Sequence, residues 1–319
     1  MTHLARTVAA PDSSLAAKAD RPGRRRAGGN GGGGGRQPTV VNAMTVDVED
    51  WFQVQAFAGR IDRATWDGQE RRVEANTHRM LDLFADHGVK ATFFTLGWVA
   101  ERAPALVRRI VAEGHELASH GLSHRLVREQ TPLEFRADVT RAKAILEDVG
   151  GVTVRGYRAA TFSVGLDTPW AWEELAAAGY AYSSSINPIR HDLYGMPDAP
   201  RFAHRPQAEV PVVEVPMTTV RLGGRNLPCA GGGFFRLLPY AVFRAGVRRV
   251  NHRDGQPAVF YCHPWEVDPG QPRVSGLSRK SAFRHYLNLS RTEGRLARLL
   301  RDFAWDRMDR VYAECAAPA

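Results

Sequence analysis

From Pro38 onward the chain alternates short apolar runs with amphipathic segments of helical length, and this limits its possible folds more than any other feature. Residues 40–48 read as a strand, and Val73, Met80, Leu81, Leu83 and Phe84 mark one face of a helix ending at Gly88. Residues 91–95 give a second strand pattern, followed by a helix with Leu106, Val107, Ile110 and Val111 that closes at Gly114. Residues 116–119 are strand-like, and 132–149 form a helix entered by Thr131 as N-cap. Further strands are expected at 154–157, 180–184, 212–215 and 258–262, with a helix over 168–178 stopped by Gly179. Strands separated by helices build parallel βαβ units. Six or seven such units point to a β/α barrel, with a doubly wound open sheet as the alternative. In either fold the chemistry collects at the carboxyl ends of the strands.

With 319 residues, 44% of them hydrophobic, the chain can bury a large core without disulfide or metal staples. Its net charge of +9 suggests nucleic acid until the charges are located. The first 38 residues hold seven Arg and Lys against two Asp, so five of the nine excess charges sit in a glycine-rich tail. That tail, with its run from Gly28 to Gly35, is expected to be disordered, and the remaining body is nearly balanced. Specific nucleic-acid binding by the body is therefore not expected. Cys229, Cys262 and Cys315 are odd in number and widely spaced, which favours a reduced setting. No apolar run of signal-peptide or membrane-spanning length is present, so the expected location is cytoplasmic.

Three strand ends carry unusual side chains. The first is Thr45-Val-Asp47-Val-Glu49-Asp50-Trp51-Phe52, three carboxylates within four residues. Such crowding calls for a positive partner, a metal or an Arg. Strand alternation places Asp47 and Glu49 on one face. The second is His115-Glu116-Leu-Ala-Ser-His120-Gly-Leu-Ser-His124. It misses the His-Glu-x-x-His spacing of zinc proteases, so Glu116 is not that general base. His120 and His124 can converge on one ion if the chain turns there. The third is Tyr261-Cys-His263-Pro-Trp265-Glu266, where an apolar strand ends in a candidate general acid, His263. Arg158 follows the strand at 154–157 and is placed to orient a carboxylate.

Taken in order, these segments resemble a polysaccharide deacetylase of carbohydrate esterase family 4. More narrowly, they resemble the bacterial branch associated with exopolysaccharide loci and the exosortase sorting system. Residues 45–52 are similar to the branch's opening motif, and His120-Gly-Leu-Ser-His124 to the family's His-Ser/Thr-x-x-His. Gly156-Tyr-Arg158-Ala resembles the third motif and residues 261–266 the last. Residues 231–239 and 285–293 resemble the branch's C-terminal extension.

The resemblance implies a distorted (β/α)7-type barrel over residues 39–268, with residues 269–319 as an extension packed on it. It implies hydrolysis of N-acetyl groups on the amino sugars of an exopolysaccharide or its precursor. A divalent metal, Zn2+ first, would be held by His120, His124 and an acidic residue, Glu49 or Asp50. A carboxylate of the first motif would deprotonate the attacking water. Asp47 takes this role in one alignment and Glu49 in the other, and strand alternation favours Asp47. Arg158 would hold that carboxylate, and His263 would protonate the leaving amine. Trp51, Phe162 and Trp265 are candidate sugar-stacking residues. The expected partners are an acetylated amino-sugar polymer or a lipid-linked oligosaccharide, with peripheral contact to exopolysaccharide machinery.

Two departures stand out. The branch's Arg-Ala-Pro-Ser-Phe-Ser is replaced by Arg158-Ala-Ala160-Thr161-Phe-Ser163, and its Tyr-Asp-Ser-Ser by Tyr182-Ser183-Ser184-Ser185. The missing Asp is expected to orient the catalytic His. Its loss motivates a second expectation, a catalytically weak saccharide-binding or scaffold protein of the assembly system.

Overall fold

The chain is described here by a computed structural model covering residues 40–313. The basic glycine-rich tail and Cys315 lie outside the described residues. The architecture is a curled, parallel, eight-stranded sheet with helices on its outside. It starts with β1 (Val41–Val48), α1 (Val73–Asp86) and β2 (Thr92–Thr95). Next come α2 (Gly97–Arg102), α3 (Pro104–Ala112), β3 (Glu116–Ser119) and α4 (Pro132–Gly150). After β4 (Gly156–Tyr157) and α5 (Ala171–Ala177), the short strands β5 (Tyr182–Ser183) and β6 (Val213–Glu214) complete the run. Each of these strands pairs in parallel with the one before it.

The local reasons are those expected from the sequence. Thr131 caps α4 through a reciprocal box in which its Oγ1 accepts from Glu134 N and Glu134 Oε2 accepts from Thr131 N, and Pro132 fills the first turn. On α1, Met80, Leu81 and Phe84 are fully buried against the sheet. Side chains of that size each contribute roughly 1.5–3 kcal/mol on burial. Strands β2 and β3 are buried at every position, as parallel strands covered on both faces must be.

The second half is more than an extension packed on the barrel. The antiparallel hairpin of β7 (Thr219–Leu222) and β8 (Arg225–Pro228) turns through Gly223 and Gly224. Next come α6 (Gly232–Leu237), α7 (Tyr240–Arg249) and β9 (Val259–Cys262), the last paired with β1. Then α8 (Arg279–Tyr286) and α9 (Leu289–Asp302) lead into β10 (Ala304–Asp306), which also pairs with β1. The terminal segment expected to pack on the barrel thus supplies one of the sheet's own strands.

Gly231 brings this region against the barrel. Its φ of 134° is open to glycine, and a Cβ there would lie 2.0 Å from the carbonyl oxygen of Tyr261 on β9. Among the described residues, no helix is long and apolar enough to cross a membrane.

Candidate active site

The site gathers at the carboxyl ends of β1, β3, β4 and β9. Asp47 is the penultimate residue of β1, and Glu49 follows directly after the strand. Both are buried and face His263: its Nε2 lies 3.9 Å from Asp47 Oδ2 and 3.7 Å from Glu49 Oε1. The shared face expected from strand alternation is the one the structure adopts.

Arg158 is completely buried, and its fork is spent on holding Asp47. One terminal nitrogen donates to Asp47 Oδ1 at 2.6 Å and to Thr45 Oγ1 at 2.7 Å. The other donates to Ser184 Oγ, and Nε donates to the Ser184 carbonyl. The guanidinium plane lies over the Phe94 ring at 4.0 Å. A buried charge survives only when paired and hydrogen-bonded in this way.

His120 comes directly after β3. His124 is reached through a turn in which Gly121 and His124 itself have positive φ. The spacing of four thus converges without a helix. His120 Nδ1 donates to the carbonyl of Arg158 at 2.8 Å, which leaves Nε2 with its lone pair free for a ligand. Burial pushes the His120 imidazole down to about 4, so it is neutral, the form that binds metal.

Donor atoms of Glu49, His120 and His124 lie within 4.8 Å of one another, all buried. Glu49 Oε2 approaches His124 Nε2 to 2.9 Å yet has no hydrogen-bond partner among the described residues. Burial alone would raise the Glu49 carboxyl, but the neighbouring His124, His263 and His120 hold it down to about 2. An orphaned, ionised carboxylate oxygen between two imidazoles is the donor set a divalent cation takes, with open positions for substrate.

Asp50 does not belong to this set. It caps the 3-10 turn that follows β1: its Oδ1 accepts from Trp51 N, and its Oδ2 accepts from Arg72 N and Val73 N. The chain leaves the strand after Val48, so the third carboxylate is turned into the start of α1. This corrects the alternative in which Asp50 is the acidic ligand: of the two carboxylates, Glu49 is the one beside His120 and His124. Trp51 is corrected as well. It is buried, its indole N–H donates to the Glu70 carbonyl, and its ring packs on Phe52 and Phe57 rather than lining the cavity.

Phe162 and Trp265 do line the cavity. Phe162 sits on a short turn where Thr161 and Phe162 both adopt positive φ, a costly backbone for residues with side chains. Trp265 also steadies Glu49, since its indole N–H donates to Glu49 Oε1 at 3.2 Å. It stacks on His263 at 4.9 Å and on His285 at 4.3 Å.

The segment that departs from the branch's Tyr-Asp-Ser-Ser does not reach His263, and a different carboxylate does. Ser183 is buried in β5, and its hydroxyl donates to Ser185 Oγ. The carboxylate at His263 Nδ1 is Glu266, at 3.2 Å, from the 3-10 turn Pro264–Val267. Burial opposes a charged His263, but the hydrogen bond and charge of Glu266, then Glu49 and Asp47, outweigh it and lift the imidazole to about 8. Glu266 is backed by Arg236 of α6, at 3.6 Å. The sequence signal for Glu266 was its place three residues after His263, within reach across one tight turn.

The profile of the polysaccharide deacetylases matches residues 63–183, a span that contains His120, His124 and Arg158. Over that span the chain is similar to the polysaccharide deacetylases. Residues 184–313 match a domain of unknown function, DUF3473. Asp47 and Glu49 precede the deacetylase match, and His263 falls inside the DUF3473 span, so the candidate site draws on both matches and on the strand ahead of them.

Over 75 residues the chain is 39% identical to a peptidoglycan-N-acetylglucosamine deacetylase of Bacillus cereus, covering 24% of this chain and 27% of that protein. Over 111 residues it is 29% identical to a chitooligosaccharide deacetylase of Bradyrhizobium, covering 35% and 48%. The chain thus spans between about a quarter and a half of these relatives' lengths. A Mycobacterium smegmatis crystal structure described as a candidate polysaccharide deacetylase superposes with a TM-score of 0.55 at 20% identity, over 88% of this chain and 93% of that one. At that identity the likeness concerns the fold, the distorted (β/α)7-type barrel.

Proposed function

We propose that the protein is a metal-dependent deacetylase that hydrolyses N-acetyl groups on amino sugars of an exopolysaccharide or its precursor. One observation carries this reading. Glu49, His120 and His124 present a cation-binding triad, flanked by the Asp47–Arg158 pair and by His263 held by Glu266. The motifs of the exopolysaccharide-locus branch support the substrate context, and the names of the relatives support amino-sugar deacetylation.

When bound, a divalent cation, Zn2+ by donor type, supplies Lewis-acid polarisation of the acetamide carbonyl. The remaining chemistry falls to the chain's own residues. Asp47 Oδ2, free of the Arg158 bond that fixes Oδ1, takes the proton of the attacking water. His263 Nε2, on the other flank, gives a proton to the leaving amine nitrogen. Glu266 accepts from Nδ1, which sets the ring's orientation and stabilises its charged form. Trp265 and Arg158 keep the two reactive carboxylates from drifting.

The carboxylate of Glu266 at His263 Nδ1 supports the enzyme reading over a catalytically weak saccharide-binding or scaffold protein. The test is acetate release from N-acetylated hexosamine oligomers by purified protein, with elemental analysis of its metal. Release that depends on one equivalent of divalent metal and is abolished by Asp47→Ala is the expected result. Release undiminished in the variant, or in metal-free protein, sinks the proposal.

A further inference from the structure

The cavity at the site has a volume of about 640 Å3, far larger than an acetamide group needs. One end is formed by Asp47, Glu49, His120, His124 and His263. Away from that end, the region matched by DUF3473 supplies Leu193, Phe234, Leu237, Phe283 and Leu287 to the wall. Three of these stand out at the rim: Leu193, Leu237 and Phe283 are 41%, 48% and 57% exposed. Large apolar side chains left open beside a reaction site mark a surface that an apolar ligand covers. Sugar hydroxyls laid along such a wall would lose water without gaining partners.

The wall also carries charge. Lys280 and Arg284, both on α8 and both lining the cavity, share one acidic partner, Asp192. One positive charge is left in excess beside the apolar strip.

We propose that this wall binds an amphiphile: an N-acetylated amino sugar joined through a phosphate to an aliphatic chain. The acetamide sits at Glu49, His120 and His124, and the phosphate meets Lys280 and Arg284. The chain lies along Leu193, Leu237 and Phe283. This rests on the deacetylase reading of the same site and names its substrate class. The region after residue 183 then has a definite role, building the half of the cavity that selects the chain.

The test compares the octyl and methyl phosphodiesters of N-acetylglucosamine as substrates of the metal-loaded full chain, read as acetate release. Each buried methylene contributes roughly fourfold to binding, so the octyl diester is expected to exceed the methyl one at least about tenfold in kcat/KM. In Phe283→Ser and Leu237→Ser that ratio falls toward one. Both positions are exposed, and an unchanged melting temperature verifies the fold. Lys280→Gln lowers both diesters alike.

Equal kcat/KM for the two diesters in the wild type overturns the proposal and leaves the deacetylase reading standing. If the wall is covered instead by a second copy of the chain, sedimentation shows a dimer that Phe283→Ser dissociates, and the proposal is again overturned. If neither diester releases acetate, the deacetylase reading fails. The lipid proposal is then judged by calorimetric titration of the octyl and methyl diesters into the full chain. Saturable binding of the octyl diester that Phe283→Ser abolishes upholds it, and equal or absent binding of the two overturns it.

Discussion

His263 and Glu266 face each other at 3.2 Å, Nδ1 to Oε1, across a single 3-10 turn, with Glu266 buried and backed by Arg236. Replacing Glu266 by Gln keeps the shape but removes the charge that favours the imidazolium. The expected result is a kcat lowered about ten- to a hundredfold with KM little changed and metal content intact, because Glu266 acts through His263 rather than on substrate or metal. A parallel loss of metal would show that the residue serves the triad instead.

Glu49 and Asp50 are neighbours with different surroundings, the first beside His120 and His124 and the second under backbone N–H groups. His120→Ala and His124→Ala are expected to lose the metal, read by elemental analysis. Asp50→Ala is expected to retain it, because its carboxylate is occupied by three backbone N–H groups where the first turn meets α1. Losing those bonds leaves buried donors unsatisfied and lowers unfolding stability by about 1–3 kcal/mol, measurable by urea denaturation.

Gly231→Ala tests how the second half is joined to the barrel. The added Cβ would fall 2.0 Å from the Tyr261 carbonyl oxygen at a φ of 134°, so both sterics and backbone oppose it. Since Tyr261 N donates to the Ala230 carbonyl next door, the strain reaches β9 directly. A loss of at least about 2 kcal/mol is expected, together with impaired activity, since His263 follows β9.

Glu116 predicts a pH effect away from the chemistry. It is buried between Thr92, Tyr182 and the backbone of Asp309. Burial first, and then the Asp309 charge, raise its carboxyl from 4.5 to about 7. A raised folded value means the native state holds the proton more tightly than the unfolded chain. This contribution is therefore full below 4.5 and is lost as pH climbs to about 7. Glu116→Gln mimics the protonated acid, so its melting temperature should decline less across that interval than the wild type's. An identical pH dependence in both proteins would remove Glu116 as the cause.

Most of the sheet was legible because the signals are local. The period of α1, the Thr131 box on α4 and the apolar runs of β2 and β3 depend only on neighbours in sequence. The hairpin of β7 and β8 carried a readable turn, Gly223-Gly224, inside a stretch otherwise poor in pattern. β10 was not legible: three residues show no periodicity, and they become a strand only because the first residues of β1, ahead of its pairing with β2, are open on that side. In the site, Asp47, Arg158, His120, His124 and His263 were marked by their place at strand ends. Trp51 was misread because an aromatic next to a catalytic strand can turn to the mouth or to the core, and composition does not distinguish the two.

The sequence alone determined a parallel β/α chain whose reactive side chains sit where strands end, because side-chain alternation and helix period are properties of the local backbone. It also located a cluster of carboxylates, Asp47, Glu49 and Asp50, at the end of the first strand and apart from the basic tail. Tertiary structure alone decided which carboxylate joins His120 and His124, since that depends on where the chain leaves β1 and what its N–H groups find. It alone supplied Glu266 to His263 in place of the absent Asp, and it set an apolar wall from distant residues beside the triad. Those outcomes rest on contacts between segments up to some two hundred residues apart, such as Trp265 with Glu49. Separation in sequence carries no record of them.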